Sequence, residues 1–128
     1  MKNILVSMQN TLLSEAIAKA LADTGNFRAE QILPGKTGDT LPLCCALRAE
    51  ILFMEVSRLT GYSLDSRLQL IGAVRSAVPE CKFALICDEN SDAELAYLVK
   101  RACQNQEIDA FFYTSVTPAY LTASLDAL

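Results

Sequence analysis

Five short apolar runs recur along the chain, and a segment with helical periodicity follows each of them. The runs lie at residues 4–6, 29–33, 51–54, 83–87 and 110–113, of which 29–33 is the weakest. Runs without polar alternation are typical of strands covered on both faces in a parallel sheet. This alternation is the strongest constraint on the fold, because parallel strands need a crossover segment between them.

The segments between the runs carry the start and stop signals of helices. A first apolar stripe over residues 12–21 ends near Gly25, a natural C-terminal stop, and a short helix is predicted over 41–48. Pro42 lies in the first turn of that helix, where its missing N–H costs nothing. A third stripe runs from 64 to 78 and is closed by Pro79.

Two further helices are predicted in the last third of the chain. Ser91 with Glu94 forms a capping box for a fourth helix, whose apolar stripe lies within 95–102. Thr117 followed by Pro118 pairs an N-cap with a proline at the first helical position of a fifth helix. The order predicts an α/β fold of type (βα)5: a doubly wound, five-stranded parallel sheet with helices on both faces.

Composition supports one domain over residues 1–128 and excludes several classes of function. With 52% apolar residues in 128, the chain can form a packed core. It contains no histidine, which excludes catalytic triads and metal sites that use histidine. Its net charge of −4 argues against direct nucleic-acid binding. The apolar run near the N-terminus is too short for a signal peptide or membrane span, so a cytoplasmic protein is expected. The five cysteines form no C-x-x-C pair, which favours reduced thiols.

The residues that directly follow the strands are the candidates for any chemistry. In doubly wound sheets, ligands bind at the carboxyl ends of the strands, near the topological switch point. The candidates at these ends are Ser7, Met8, Gln9, Glu55, Val56, Cys87, Asp88, Thr114 and Ser115.

Two segments make the chain resemble a bacterial response-regulator receiver domain of the CheY-like, flavodoxin-like fold. Residues 49–56, AEILFMEV, lie where that family has its phosphoacceptor strand. Residues 109–118, DAFFYTSVTP, are similar to the fifth strand and last helix start of NarL/LuxR-type regulators. The resemblance spans essentially the whole chain and implies a role in two-component signal transduction and transcription regulation.

The family's phosphorylation residues are replaced at the positions that match its motifs. The acidic pair that holds Mg2+ falls on Ser7 and Met8, and the phosphoacceptor aspartate falls on Glu55. Mg2+ prefers several oxygen ligands in octahedral geometry, whereas a hydroxyl and a thioether offer little. We therefore expect no metal or other cofactor, and no phosphotransfer from a histidine kinase.

The positions that read the phosphoryl group are also changed. The family's Ser or Thr is Cys87, its lysine is Thr114, and its aromatic switch position is Phe111. The resemblance therefore predicts a degenerate, non-enzymatic receiver domain that acts by protein interaction or dimerisation.

Glu55 admits two interpretations, and the strand-end pocket admits an alternative function. Glu55 is either a built-in mimic of the phosphorylated state or a solvated acid at a decayed site. Alternatively, the pocket senses a small molecule or a phosphate by hydrogen bonds from Ser7, Thr114 and Ser115. Phosphotransfer onto Glu55 or Asp88 is a third, disfavoured hypothesis.

The partner surface is expected on the fourth helix, fifth strand and fifth helix. Tyr97, Phe112 and Tyr120 are the aromatic residues predicted to contact a protein partner or a second copy. In the NarL/LuxR-type subgroup a DNA-binding helix-turn-helix module follows the receiver domain, so any DNA contact is expected outside this chain.

Overall fold

One parallel sheet organises the molecule, and its strand order is β2-β1-β3-β4-β5. The computed structural model describes residues 1–128. The strands are β1 (Lys2–Ser7), β2 (Phe27–Ile32), β3 (Ile51–Glu55), β4 (Lys82–Cys87) and β5 (Ala110–Tyr113). All four strand pairs are parallel, which confirms the predicted doubly wound (βα)5 fold.

Five α-helices cover the two faces of the sheet. They are α1 (Thr11–Asp23), α2 (Thr40–Leu47), α3 (Leu64–Ala77), α4 (Ala93–Gln104) and α5 (Pro118–Asp126), and a 3-10 turn (Thr37–Asp39) precedes α2. The α2, α3 and α4 helices bury side chains on one face of the sheet, and α1 and α5 bury theirs on the other. No helix is long and apolar enough to cross a membrane.

Strand alternation separates the two cores, which lie on opposite faces of the sheet. Leu5, Leu52 and Leu85 belong to the core under α2, α3 and α4. Their chain neighbours Val6 and Phe53 belong to the core under α1 and α5. Because successive side chains of a strand point to opposite faces, a continuous apolar strand fills both cores at once.

The sequence predicts two helix N-caps, of which the one at α5 is confirmed and the one at α4 is wrong. Thr117 caps α5 with Pro118 in its first turn, as predicted. The capping box at Ser91 is wrong, because Asp92 is the N-cap and accepts from the Leu95 N–H at 3.0 Å. Ser91 instead donates to Asp88 at 2.6 Å. Asp92 prevails because its carboxylate also pairs with Arg58.

Two further predictions about strands need correction. The second strand begins at Phe27 rather than at residue 29, and Leu33 lies beyond its end, 63% exposed. Phe112 is not a surface residue: it is buried under α5 and contacts the ring of Phe53 edge-on, with centroids 5.7 Å apart. Its neighbours in β5 point to the opposite face, so the aromatic run 111–113 cannot form one exposed surface.

Candidate functional site at the carboxyl edge of the sheet

The topological switch point lies between β1 and β3, the two central strands from which the chain winds in opposite directions. Ser7 is the last residue of β1 and Glu55 the last residue of β3. Ser7 pairs with Met54, so the two strand ends lie side by side. The structure therefore brings the predicted Ser7 and Glu55 positions together at one edge.

The Glu55 carboxylate is bound to the loop that follows β1. Its Oε1 accepts hydrogen bonds from the backbone N–H groups of Gln9 at 2.8 Å and Asn10 at 3.0 Å. Asn10 in turn caps α1 by accepting from the Leu13 N–H at 3.1 Å. Glu55 shares the parity of Phe53 along β3, which directs its side chain towards the α1 face. A single carboxylate thus fixes the β1–α1 loop and the start of α1.

Arg67 of α3 ties the ends of β1 and β3 together from the other face. Its Nε donates to the Glu55 carbonyl at 2.9 Å, and its two terminal nitrogens donate to the Ser7 carbonyl at 3.0 Å and Ser7 Oγ at 3.2 Å. The guanidinium lies 4.8 Å from the centre of the Tyr62 ring, a cation–π distance. Arg67 is only 1% exposed and is the largest fully buried side chain in the molecule.

Burial lowers the pKa of the Arg67 guanidinium to about 10, an effect that Tyr62 and Glu55 partly oppose. The group therefore stays charged at neutral pH. Every buried side-chain nitrogen and oxygen has a hydrogen-bond partner, so the strand ends leave no polar side-chain group unsatisfied. The ends of β1 and β3 are joined by a closed polar network.

Arg67 was missed by the sequence argument, although the sequence carries a signal for it. Arg67, Ile71 and Val74 have the i, i+4, i+7 spacing of one helix face, and all three are buried. A charged residue on the apolar stripe of a helix indicates a buried partner. That partner is invisible in the sequence, because it consists mainly of backbone carbonyls.

The predicted metal position does not fit a magnesium ion. The Ser7 hydroxyl is buried and already accepts from Arg67, and Met8 points into the core under α1 and α5. Of the three positions matched to the family's acidic residues, Glu55 is the one that carries a carboxylate. No group of three or more Cys, Asp or Glu side chains is arranged to hold a metal ion. Mg2+ needs several oxygen ligands, which these residues do not supply.

No hydrogen bond joins the Glu55 carboxylate to the predicted positions at the ends of β4 and β5. Cys87 is buried in the core under α3 and α4, where desolvation raises the pKa of its thiol to about 11. Phe111 is half-buried, with its ring centre 5.5 Å from that of Tyr113. Thr114 lines a small apolar groove of about 110 Å3 between α1 and α5. Ser115 donates to Glu89 at the surface, at 3.3 Å.

A second, exposed link joins the loops that follow β3 and β4. Arg58 pairs with Asp92 through Nε at 2.5 Å and a terminal nitrogen at 3.2 Å. The hydrogen bond from Arg58, reinforced by the Leu95 N–H, lowers the pKa of Asp92 to about 2. This pair adjoins an open cavity of about 350 Å3 whose lining includes Glu55 and Asp88. Neither Ser7, Thr114 nor Ser115 lines that cavity.

Comparison with known structures identifies the fold. A CheY-like receiver domain protein from Methanospirillum hungatei has a TM-score of 0.75 at 16% identity, covering 99% of this chain and 92% of that one. A LuxR-family DNA-binding response regulator from Staphylococcus aureus has a TM-score of 0.76 at 12% identity, covering 99% and 98%. A CheY-like protein (tadZ) from Pseudomonas aeruginosa has a TM-score of 0.73 at 17% identity, covering 99% and 98%.

Comparison with protein-family models and with curated proteins gives no match. The chain therefore has the fold of response-regulator receiver domains, as the resemblance implied.

Proposed function

We propose that the chain is an atypical, cytoplasmic receiver domain that transmits a signal by protein contact, without Mg2+-dependent aspartyl phosphorylation. The observation that carries this proposal is the closed network at the switch point. The Glu55 carboxylate is bound to the amides of Gln9 and Asn10, and Arg67 is bound to both strand ends. The cavity beside Glu55 is lined by no lysine, and its carboxylates would repel an incoming phosphoryl group.

The alternative sensing function finds less support in the arrangement of the site. Ser7 is buried, and Thr114 and Ser115 lie outside the cavity beside Glu55. Carboxylates line that cavity, and its one arginine is already paired with Asp92. A phosphate-like anion would face like charges there.

The contact surface is proposed on α4, β5 and α5. Tyr97 on α4 is 55% exposed and Tyr120 on α5 is 65% exposed, and aromatic side chains are enriched at protein interfaces. We propose that these two residues contact a protein partner or a second copy. If the protein regulates transcription, DNA contact then belongs to a module outside residues 1–128, since this chain carries a net charge of −4.

The decisive experiment compares amide NMR spectra of the protein before and after adding beryllofluoride with MgCl2, or acetyl phosphate with MgCl2. We expect the amide chemical shifts of Gln9, Asn10 and residues 55–57 to remain unchanged. Mg2+-dependent shifts of these amides would overturn the proposal and favour phosphotransfer. Shifts caused by an unrelated metabolite would favour the sensing function.

The contact surface is tested by sedimentation equilibrium or by partner capture. We expect the Y97S and Y120S variants to weaken self-association or partner binding. L12S is the control, because Leu12 is a large apolar residue on α1 that is even more exposed than the two tyrosines. Equal effects of all three substitutions would argue against the α4, β5 and α5 surface.

The mimic interpretation of Glu55 is tested separately by E55Q. This variant removes the charge and keeps an acceptor oxygen for Gln9 and Asn10. An altered oligomeric state or partner affinity favours the mimic. Unchanged behaviour favours an acid whose role is to order the loop.

A further inference from the structure

We propose that the Arg67 guanidinium is a built-in cation of the carboxyl edge, which joins β1 to β3 from the α3 side of the switch point and orders it without a metal ion. This inference rests on the proposed function and deepens it. It explains how the site keeps one arrangement without Mg2+ or phosphate, because the cation belongs to the chain.

The contacts of Arg67 are those of a bridging cation. Three N–H groups of one planar guanidinium reach the carbonyls of Ser7 and Glu55 and the hydroxyl of Ser7. These oxygens come from the last residues of two adjacent strands, so the group crosses the switch point. A guanidinium has fixed donor directions, and it loses less side-chain freedom per hydrogen bond than an ammonium.

The surroundings of Arg67 keep water out and its charge compensated. Tyr62 is buried and lies over the guanidinium, at 4.8 Å from its ring centre. The Glu55 carboxylate supplies the nearby opposite charge. A cation in such a place cannot exchange with solvent ions, unlike a bound metal.

The same arrangement excludes a divalent ion. A second cation at the switch point would be repelled by Arg67, and it would find the Ser7 oxygens already engaged as acceptors. Ser7 and Met8 thus supply no carboxylate to a divalent ion, and Arg67 of α3 places a positive charge beside the Ser7 oxygens.

The inference is tested by restoring a carboxylate at position 7 with and without Arg67. Four proteins are compared by thermal melting in millimolar MgCl2 and in NaCl of equal ionic strength: wild type, S7D, S7D/R67M and S7D/R75M. Arg75 lies on the same helix, donates one exposed hydrogen bond to the Glu107 carbonyl and lies over the ring of Phe83, so R75M is the control that removes an arginine away from the switch point. Methionine keeps the length of the side chain and removes its charge.

We expect S7D and S7D/R75M to melt at the same temperature in both salts, because Arg67 neutralises the introduced carboxylate. In NaCl, S7D/R67M should have a lower melting temperature than S7D. In MgCl2 its melting temperature should rise by about 5 °C or more, because ligand binding to the folded state raises the melting temperature. An equal Mg2+ response of S7D and S7D/R67M would overturn the inference. So would the absence of any response in S7D/R67M.

A second measurement covers the case in which S7D/R67M does not fold in either salt. Amide spectra of S7D alone then decide, with MgCl2 as the probe. Shifts at Gln9 and Glu55 would overturn the inference, and unchanged spectra support it. The outcome is separable from that of the proposed function: a beryllofluoride response of the wild type contradicts the proposed function, whereas a Mg2+ response of S7D contradicts only the role of Arg67.

Discussion

The two halves of the carboxyl edge are held together by different means. At the ends of β1 and β3, a buried arginine and a half-buried glutamate link strand, loop and helix. At the ends of β4 and β5, the links are exposed side-chain bonds, such as Ser115 to Glu89 and Ser91 to Asp88. Hydrogen bonds of a buried charged group contribute far more to stability than exposed ones. The centre of the edge is therefore expected to be held more tightly than the side towards β5.

The largest expected effect comes from R67M, which removes the hydrogen bonds between α3 and the ends of β1 and β3. It leaves the buried carbonyls of Ser7 and Glu55 without their donor, which should lower the free energy of unfolding by about 2–5 kcal/mol. Urea unfolding followed by circular dichroism measures the change. R67K should lose less, because it keeps the charge but not the forked geometry. A loss below about 1 kcal/mol in R67M would show that the two halves do not differ.

Removal of the Glu55 side chain should have the next largest effect. E55A leaves the Gln9 and Asn10 amides without their acceptor and should cost about 1–2 kcal/mol. E55Q should cost less, because it keeps an acceptor oxygen. Hydrogen exchange at Gln9 and Asn10 locates the effect: faster exchange is expected in E55A and near-normal exchange in E55Q. Equal exchange rates in both variants would show that the Glu55 acceptor oxygen does not order this loop.

The link between the loops after β3 and β4 gives a pH dependence. Asp92 has a pKa of about 2 in the folded chain and an ordinary value of 3.8, so the unfolded chain takes up a proton first as the pH falls. Its contribution to stability is complete above about pH 4 and is lost towards about pH 2. In D92N the unfolding midpoint should depend less on pH across this window, because asparagine does not titrate. Asparagine still caps a helix, so the start of α4 should be kept.

The control for this titration is D39N. Asp39 is at the N-cap of α2, and its side chain makes no capping hydrogen bond. The D39N profile should follow that of the wild type when both are measured by thermal melting between about pH 5 and about pH 2. If the melting temperature of D92N fell as steeply with pH as that of the wild type, Asp92 would not contribute to the loss of stability in acid.

The smallest effect is expected from S115A, on the side of the edge towards β5. It removes one exposed bond of 3.3 Å to Glu89 and should change the free energy of unfolding by less than about 0.5 kcal/mol. A larger loss, measured by urea unfolding beside E55A, would mean that the edge near β5 is as tightly held as its centre.

Most of the fold was predictable from local patterns, and the exceptions have local competitors. The strands 51–54 and 83–87 were found because an apolar run is enough to identify a strand buried on both faces. The start of α4 was misplaced by one residue, because Ser91 and Asp92 are both good caps and only the pairing with Arg58 selects Asp92. Phe112 was misassigned to the surface because strand alternation, and not aromatic content, decides its side of the sheet.

The sequence by itself determined the order of strands and helices and the position of the edge where Ser7 and Glu55 meet. Both follow from residue type and periodicity along short stretches of chain. Only the tertiary structure showed that a buried arginine joins the ends of β1 and β3. Arg67 follows Ser7 by 60 positions, and its acceptors are mainly backbone carbonyls, which every residue has and no pattern marks. A buried cation of this kind is specified by the packing of α3 against two strands, and such packing exists only in the folded chain.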